Sequence, residues 1–180
     1  MDRKLNFNEI FSQRPDLEAL KGLPRFPVTL VVENIRSMHN VGSFFRSSDG
    51  VRLEKIYLTG YTPQPPRAEI FKTALGATES VPWAYSKNPS AVVQGLKNQG
   101  YTIVALEQTT KSIPYYKTHF TFPMCLILGN EVDGVSDDLI RMADLAIDIP
   151  MFGIKHSLNV SVAYGIIIYH LLSIKPQDLR

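Results

Sequence analysis

Apolar residues along the chain fall into two kinds of pattern. Six short stretches have the length and the β-branched or aromatic content of buried strands, namely VTLVV, KIYLTG, SVPWAY, YTIVALE, MCLILG and LAIDIP. Four segments between them space apolar residues as on one face of a helix: NVGSFFRSSDGV, EIFKTALG, SAVVQGLKNQG and DDLIRMA. The stretch LNVSVAYGIIIYHLL predicts a long final helix. This alternation predicts an α/β protein with a largely parallel sheet covered by helices on both faces.

The first 25 residues differ from this pattern. Residues 7–21 predict two short helices, because Leu17 and Leu20 are three apart and Pro15 with Asp16 is a typical helix start. The segment KGLPRFP then interrupts the helical pattern. A chain of 180 residues is long enough for one domain with a substantial core and short for two. We therefore expect a short helical N-terminal extension over residues 1–25 and a single domain over residues 26–175.

The composition is that of a soluble globular protein, with 44% apolar and 20% charged residues. No apolar run is long enough to span a membrane, and the charged N-terminus does not resemble a signal peptide, so we expect a cytoplasmic protein without a membrane partner. The net charge of +2 permits nucleic-acid binding without requiring it. Cys125, the only cysteine, lies in the apolar run PMCLILG and is expected in the core rather than at a catalytic site.

Three segments rich in small and polar residues follow predicted strands: NIRSMHNVGSFFR, GNEVDGVS and PMFGIKHSLNVS. Since ligands of parallel α/β sheets bind beyond the carboxyl ends of the strands, we expect these segments to converge on one crevice. In the first segment, Asn40 is a candidate helix cap and Gly42 would let a ligand approach the backbone. Arg46 is either a solvated side chain or a functional one.

The other two segments leave similar alternatives open. Glu131 is either a turn residue or a polar contact to a ligand. Ser157 and Asn159 are either N-caps of the final helix or part of a site for a nucleoside-sized ligand. The chain has neither a P-loop nor a GxGxxG motif, which argues against nucleoside triphosphates and dinucleotides held in the usual ways. The four histidines show no metal-ligand spacing, so no metal is expected.

Taken together, NIRSMHNVGSFFR, LILGNEVDGVS and IPMFGIKHSLNVSVA resemble, in this order, the three motifs of the SpoU (TrmH-type) family of SPOUT RNA 2′-O-ribose methyltransferases. The resemblance covers roughly residues 28–173. It implies transfer of a methyl group from the cofactor S-adenosyl-L-methionine to a ribose 2′-hydroxyl of RNA. It also implies a parallel sheet whose C-terminal third forms a deep trefoil knot, and a homodimer with the active site built across the subunit interface.

The resemblance further implies roles for individual residues. The catalytic residues would be Arg46, Asn40, Glu131, Ser157 and Asn159, with Arg46 the main one. The cofactor contacts would be Gly129, Ile149, Leu158 and Met151, with Leu106 and Glu107 as secondary contacts. A guanidinium stays protonated near neutral pH. Arg46 therefore either takes the hydroxyl proton with help from a phosphate or a dry pocket, or fixes the ribose and its phosphate through bidentate hydrogen bonds.

Two other functions are compatible with the same fold: methylation of an RNA base, and a noncatalytic RNA-binding module. The presence of all five polar site residues favours an enzyme. The motif NVGSFFR together with SLNVSV favours ribose over base methylation. We expect no separate N-terminal RNA-binding domain of the kind that several rRNA-directed members of the family carry, because the short helical extension over residues 1–25 is closer to compact tRNA-directed members. We therefore expect the substrate to be tRNA or rRNA, with tRNA favoured over rRNA.

Overall fold

A computed structural model describes residues 2–175 of the chain. The N-terminal segment contains two short helices, α1 (Phe7–Ser12) and α2 (Leu17–Lys21), which confirms the helical pattern predicted there. Asn6 and Glu9 form a capping box at the start of α1, and the Asp16 side chain caps α2. Neither helix buries any residue. Met1 of the expected extension lies outside the described residues, and the division at residue 25 stays a prediction.

A seven-stranded sheet forms the centre of the fold. Its strands are β1 (Phe26–Glu33), β2 (Leu53–Thr59), β3 (Trp83–Ser86), β4 (Thr102–Leu106), β5 (Ile113–Pro114), β6 (Met124–Leu128) and β7 (Leu145–Asp148). The order across the sheet is β3-β2-β1-β6-β4-β7-β5, and all neighbouring strands are parallel. The six predicted strands and the parallel sheet are therefore confirmed. The sequence pattern missed only β5, whose two residues are too few to show a period.

Six further α-helices lie in the described residues: five between strands, and α8 after the last strand. They are α3 (Met38–Gly50), α4 (Ala68–Ala74), α5 (Ala77–Ser80), α6 (Pro89–Asn98), α7 (Asp137–Met142) and α8 (Val160–Ser173). Alternate side chains of β1 point to opposite faces of the sheet, so Leu30 and Val32 pack with α3 and α8, whereas Val31 packs with α6 and α7. Both faces are covered, as predicted. A short 3₁₀ helix over Tyr115–Lys117 and the four-residue helix α5 were not predicted.

The contact between α3 and its neighbours corrects one expectation. Gly42 is buried, and a Cβ atom there would overlap the backbone carbonyl of Ile70 and the hydroxyl of Thr73. The glycine therefore allows α4 to approach α3, and the expectation that it lets a ligand approach the backbone is wrong. On the other side of α3, Ser48 and Tyr164 share a buried hydrogen bond of 2.7 Å between their hydroxyls. These contacts fix the position of α3 between α4 and α8.

Cys125 lies in the core, as predicted. Its side chain is fully buried in β6, and this burial raises the pKa of the thiol far above its usual range. The thiol therefore stays protonated and contributes packing rather than reactivity. Within residues 2–175, no helix is long and apolar enough to cross a membrane.

Candidate functional site

The loops that follow β4, β6 and β7 line a cavity of about 360 Å³ at the carboxyl edge of the sheet, and the segment that follows β1 contacts the β6 loop through hydrogen bonds to Glu131. Convergence of the three polar segments was the expectation from the sequence. Glu131, Ser157 and Asn159 line the cavity. So does every predicted cofactor contact: Leu106, Glu107, Gly129, Ile149, Met151 and Leu158. The parallel order β1-β6-β4-β7 produces this convergence, because it places the four strand ends side by side.

Asn40 does not cap α3, contrary to one of the expectations for this residue. The helix begins at Met38, two residues before Asn40. The hydroxyl of Ser37 caps it by accepting a hydrogen bond from the backbone N–H of Asn40. Asn40 therefore lies inside the first turn, where its side chain is free to reach across to another loop. It is only 8% exposed, so its amide group needs protein partners.

A polar network joins the three loops through the Asn40 side chain. Asn40 Nδ2 donates to a Glu131 carboxylate oxygen over 2.9 Å, and Asn40 Oδ1 accepts from Asn159 Nδ2 over 3.2 Å. The backbone N–H groups of Arg36 and Ser37 also donate to the Glu131 carboxylate, over 3.0 and 3.1 Å. Each of the three segments thus contributes one side chain, and the first also contributes two backbone N–H groups, so the network holds the segments together.

Asn159 caps α8 and so fixes the direction of this network. Its Oδ1 accepts from the backbone nitrogens of Ser161 and Val162 and from the Ser161 hydroxyl. Because the helix end offers donors there, Asn159 must turn its Nδ2 toward Asn40. Because the Glu131 carboxylate only accepts, Asn40 must turn its Nδ2 toward Glu131. Both amide orientations are therefore determined by chemistry, and Asn159 is at once the N-cap and a site residue.

The same hydrogen bonds keep Glu131 ionised. Partial burial raises the pKa of its carboxyl group, but the donors Arg36 N, Asn40 Nδ2 and Ser37 N outweigh this effect and lower the pKa below its ordinary value. Glu131 remains partly in contact with solvent. The cavity wall therefore carries a negative charge at neutral pH, held by a fixed set of donors.

The loop from Gly129 to Ser136 makes a tight turn that depends on glycine and on two carboxylates. A Cβ atom at Gly129 would overlap the backbone of Gly134 and Val135, so no larger residue fits. Glu107 accepts from Val135 N over 2.9 Å, and the buried Glu33 accepts from Ser136 N over the same distance. The Glu107 carboxylate thus supports the wall of the cavity as well as lining it.

Asn130 is a site residue that the sequence reasoning missed. It is buried, donates through Nδ2 to Asn34 O over 2.8 Å and to the Tyr61 hydroxyl over 2.7 Å, and accepts from Val132 N and Asp133 N. This single side chain ties the Glu131 loop to the segments that follow β1 and β2. An amide directly before the candidate acid, at the end of a buried strand, was the signal in the sequence.

The cavity lining is acidic. The charged or titratable side chains among its lining residues are Glu107, Glu131, Asp133, Asp148 and His156, with no lysine or arginine among the lining residues described. A ligand with positive charge is favoured by such a surface. In the part of the chain that the structure describes, no group of three or more His, Cys, Asp or Glu side chains could hold a metal ion.

Comparison with known proteins gives the family. The sequence model of the SpoU rRNA Methylase family matches residues 27–169. The chain belongs to this family. Among its relatives, a tRNA (guanosine(18)-2′-O)-methyltransferase of Aquifex aeolicus is 37% identical over 76% of this chain and 64% of its own length. The Escherichia coli enzyme with the same name is 30% identical over 79% and 61%. The chain thus spans less than two thirds of the length of either relative.

Solved structures of SpoU-type proteins share the fold. The Aquifex aeolicus TrmH/SpoU tRNA modifying enzyme superposes with a TM-score of 0.79 and 29% identity, over 91% of this chain and 83% of that one. An AdoMet-bound rRNA methyltransferase from Sinorhizobium meliloti gives a TM-score of 0.78 at 24% identity, over 85% and 59%. The family resemblance seen in the three sequence motifs is therefore confirmed.

Within this SpoU family member, the predicted catalytic residues divide into two groups. Asn40, Glu131 and Asn159 form the network, and Ser157 is an exposed residue at the mouth of the cavity. Arg46 stands apart: like Asn40 it does not line the cavity, but unlike Asn40 it lies on the exposed side of α3 and outside the network. Within residues 2–175, its side chain has no hydrogen bond or ion pair. A single chain therefore does not bring Arg46 together with the other four.

Proposed function

We propose that the chain transfers a methyl group from S-adenosyl-L-methionine to a ribose 2′-hydroxyl of RNA. The observation that carries the proposal is the Glu131–Asn40–Asn159 network, which joins the three family segments at one cavity. Relatives named as tRNA (guanosine(18)-2′-O)-methyltransferases and as a 23S rRNA (guanosine-2′-O-)-methyltransferase support the reaction class.

The cavity suits the cofactor in size and in charge. Its volume falls within the range of about 300–1,000 Å³ that is typical of small-molecule sites. Four carboxylates in the lining match a molecule with a sulfonium and an ammonium group. Leu106, Ile149 and Leu158 provide apolar surface for a purine ring. When bound, the cofactor supplies an electrophilic methyl group, and the residues around it hold it in place without a metal.

We assign to Arg46 the role of contacting the ribose that is methylated. A guanidinium presents a planar pair of donors, which is suited to hold the ribose and its phosphate. Loss of the hydroxyl proton to Arg46 itself would require a phosphate or a dry pocket nearby. The task that remains for Asn40, Glu131, Ser157 and Asn159 is to shape and position the cavity side of the site.

The separation of Arg46 from the cavity supports a homodimer in which Arg46 of one subunit faces the cavity of the other. Apolar side chains that a second subunit could cover are exposed beside the cavity residues, namely Phe152 and Ile154 before α8 and Val162 in its first turn, and farther along α8 at Tyr169. A C2 arrangement would place two such sites symmetrically. The proposed deep trefoil knot rests on family membership.

The proposed substrate is tRNA, with rRNA second, and the proposed compartment is the cytoplasm, where such RNA is processed. Relatives with both substrate names match the chain, and the relatives named for tRNA include the one at 37% identity. To test the function, the protein is incubated with radiolabelled S-adenosyl-L-methionine and separate tRNA and rRNA pools. We expect label in tRNA, and an Arg46→Ala control that incorporates almost none. Absence of label from both pools would contradict the proposal.

A further inference from the structure

Tyr61 has an exposed aromatic ring, and hydrogen bonds hold the residue both at its hydroxyl and at its backbone. Its hydroxyl accepts a hydrogen bond from Asn130 Nδ2 over 2.7 Å, and its backbone N–H donates to Asn34 Oδ1 over 3.1 Å. Gly60, which precedes it, has a positive φ of 66°, and a Cβ atom there would overlap the Asn34 side chain. The ring is nevertheless 60% exposed. An immobilised side chain that leaves most of its ring in solvent is suited to receive a ligand.

This ring lies beside the proposed active site, one hydrogen bond away from the cavity lining, although Tyr61 itself does not line the cavity. Asn130, its hydrogen-bond partner, lines the cavity and directly precedes Glu131, which binds the backbone N–H of Arg36. The Arg36 side chain is exposed, and no salt bridge to it is found among residues 2–175. The ring of Tyr61 also lacks an aromatic or cationic partner in the described chain. A flat apolar face and an unpaired cation therefore stand at the same edge.

We propose that the Tyr61 ring is a stacking platform for a base of the substrate RNA beside the nucleotide whose ribose is methylated. The inference rests on the proposed RNA methylation and adds a substrate-binding residue to it. RNA bases that are splayed out of a helix stack on aromatic side chains, and a ring held in advance loses little entropy on binding. The neighbouring Arg36 would attract the adjacent phosphate.

The alternative is that Tyr61 only supports Asn130, and two variants separate the roles. Tyr61→Phe keeps the ring and removes the hydroxyl, whereas Tyr61→Leu removes both. A stacking platform predicts that Tyr61→Phe keeps the KM for total tRNA within about twofold, while Tyr61→Leu raises it by about 5- to 100-fold. Both variants should bind the demethylated cofactor as the wild type does. Tyr116→Leu is the matched control, since Tyr116 is 53% exposed beyond β5 at the opposite edge of the sheet and should leave this KM unchanged.

A binding measurement provides a second readout. In Tyr61→Trp, total tRNA added with the demethylated cofactor should quench the new indole fluorescence, beyond any change in the wild type, whose single tryptophan is Trp83. The inference is overturned if Tyr61→Phe and Tyr61→Leu are equally damaging, if Tyr61→Leu binds tRNA like the wild type, or if the indole is not quenched. A wild-type protein that methylates neither tRNA nor rRNA would instead refute the proposed function, and this inference with it.

Discussion

The Asn40→Asp substitution replaces the side-chain NH2 group with a second carboxylate oxygen and hardly changes the size of the side chain. In the native site, Asn40 Nδ2 donates to Glu131 over 2.9 Å. In the variant at pH 8, two carboxylates would meet at that distance. Loss of a hydrogen bond to a charged acceptor costs about 1.5–3 kcal/mol. Repulsion between the charges adds about 1–4 kcal/mol, toward the lower value because Glu131 contacts solvent. We expect a destabilisation of about 3 kcal/mol.

The dependence on pH distinguishes this mechanism from simple loss of a contact. In the wild type, folding lowers the pKa of Glu131. Its contribution to the stability of the fold is therefore present above the pKa of the unfolded state and is lost as pH falls through the pKa of the folded state. In Asn40→Asp the paired carboxyls share a proton, and the folded pKa of one is raised. That group stabilises the fold at low pH, and this stabilisation is lost as pH rises through the raised pKa. The deficit relative to the wild type should therefore shrink at pH 5.

Urea denaturation at one fixed protein concentration, at pH 8 and pH 5, measures both effects. Asn40→Ala is the matched control, because it removes the hydrogen bond without adding a charge and cannot regain a donor at low pH. Its deficit should be about 2 kcal/mol at pH 8 and should not recover as that of Asn40→Asp does. Equal deficits for the two variants at both pH values would show that the Asn40 amide is not held by the Glu131 carboxylate.

Three further outcomes are expected. Arg46→Ala should lower turnover by orders of magnitude in steady-state kinetics, while calorimetry and denaturation should show nearly unchanged cofactor affinity and free energy of unfolding. Arg46→Lys should also have low turnover. Loss of cofactor affinity at an unchanged maximal rate would contradict the role assigned to Arg46. Gly129→Ala should lower the free energy of unfolding by at least about 2 kcal/mol through backbone overlap, whereas Gly95→Ala, in open space on α6, should raise it by up to about 1 kcal/mol. Sedimentation at micromolar concentration should give a dimer that Tyr169→Lys weakens, and a monomeric wild type would contradict the shared site.

Most of the sheet and its helices could be predicted from the sequence, because buried parallel strands are continuous apolar runs and the helices keep a clear apolar face. The prediction failed where several local signals compete. Ser37 and Asn40 are both good caps three residues apart, and only the structure shows that the Ser37 hydroxyl accepts from Asn40 N. Gly42 could serve a ligand or a helix contact equally well until the position of α4 is known.

The candidate site shows the same limit. Glu131 and Asn159 stand out as polar residues after strands. Both bind the Asn40 side chain, however, and Asn40 is 91 residues from Glu131 and 119 residues from Asn159 along the chain. No local pattern carries such a contact. Asn130 and Tyr61 were missed because each looks like an ordinary loop residue, and their mutual hydrogen bond depends on how the loops after β2 and β6 meet. In the proposed homodimer, the position of Arg46 relative to the cavity is set by a second subunit, which no pattern within one sequence describes.

The most direct measurement is the position of the methyl group on the product. After incubation with S-adenosyl-L-methionine and tRNA, the RNA is digested to nucleosides and each methylated nucleoside is fragmented at its glycosidic bond by mass spectrometry. Ribose 2′-O-methylation predicts that the added methyl stays with the sugar fragment, and that the modified linkage resists alkaline hydrolysis in the intact RNA because it lacks a free 2′-hydroxyl. A methyl group that leaves with the base, or a linkage that alkali still cleaves, would contradict transfer to the ribose.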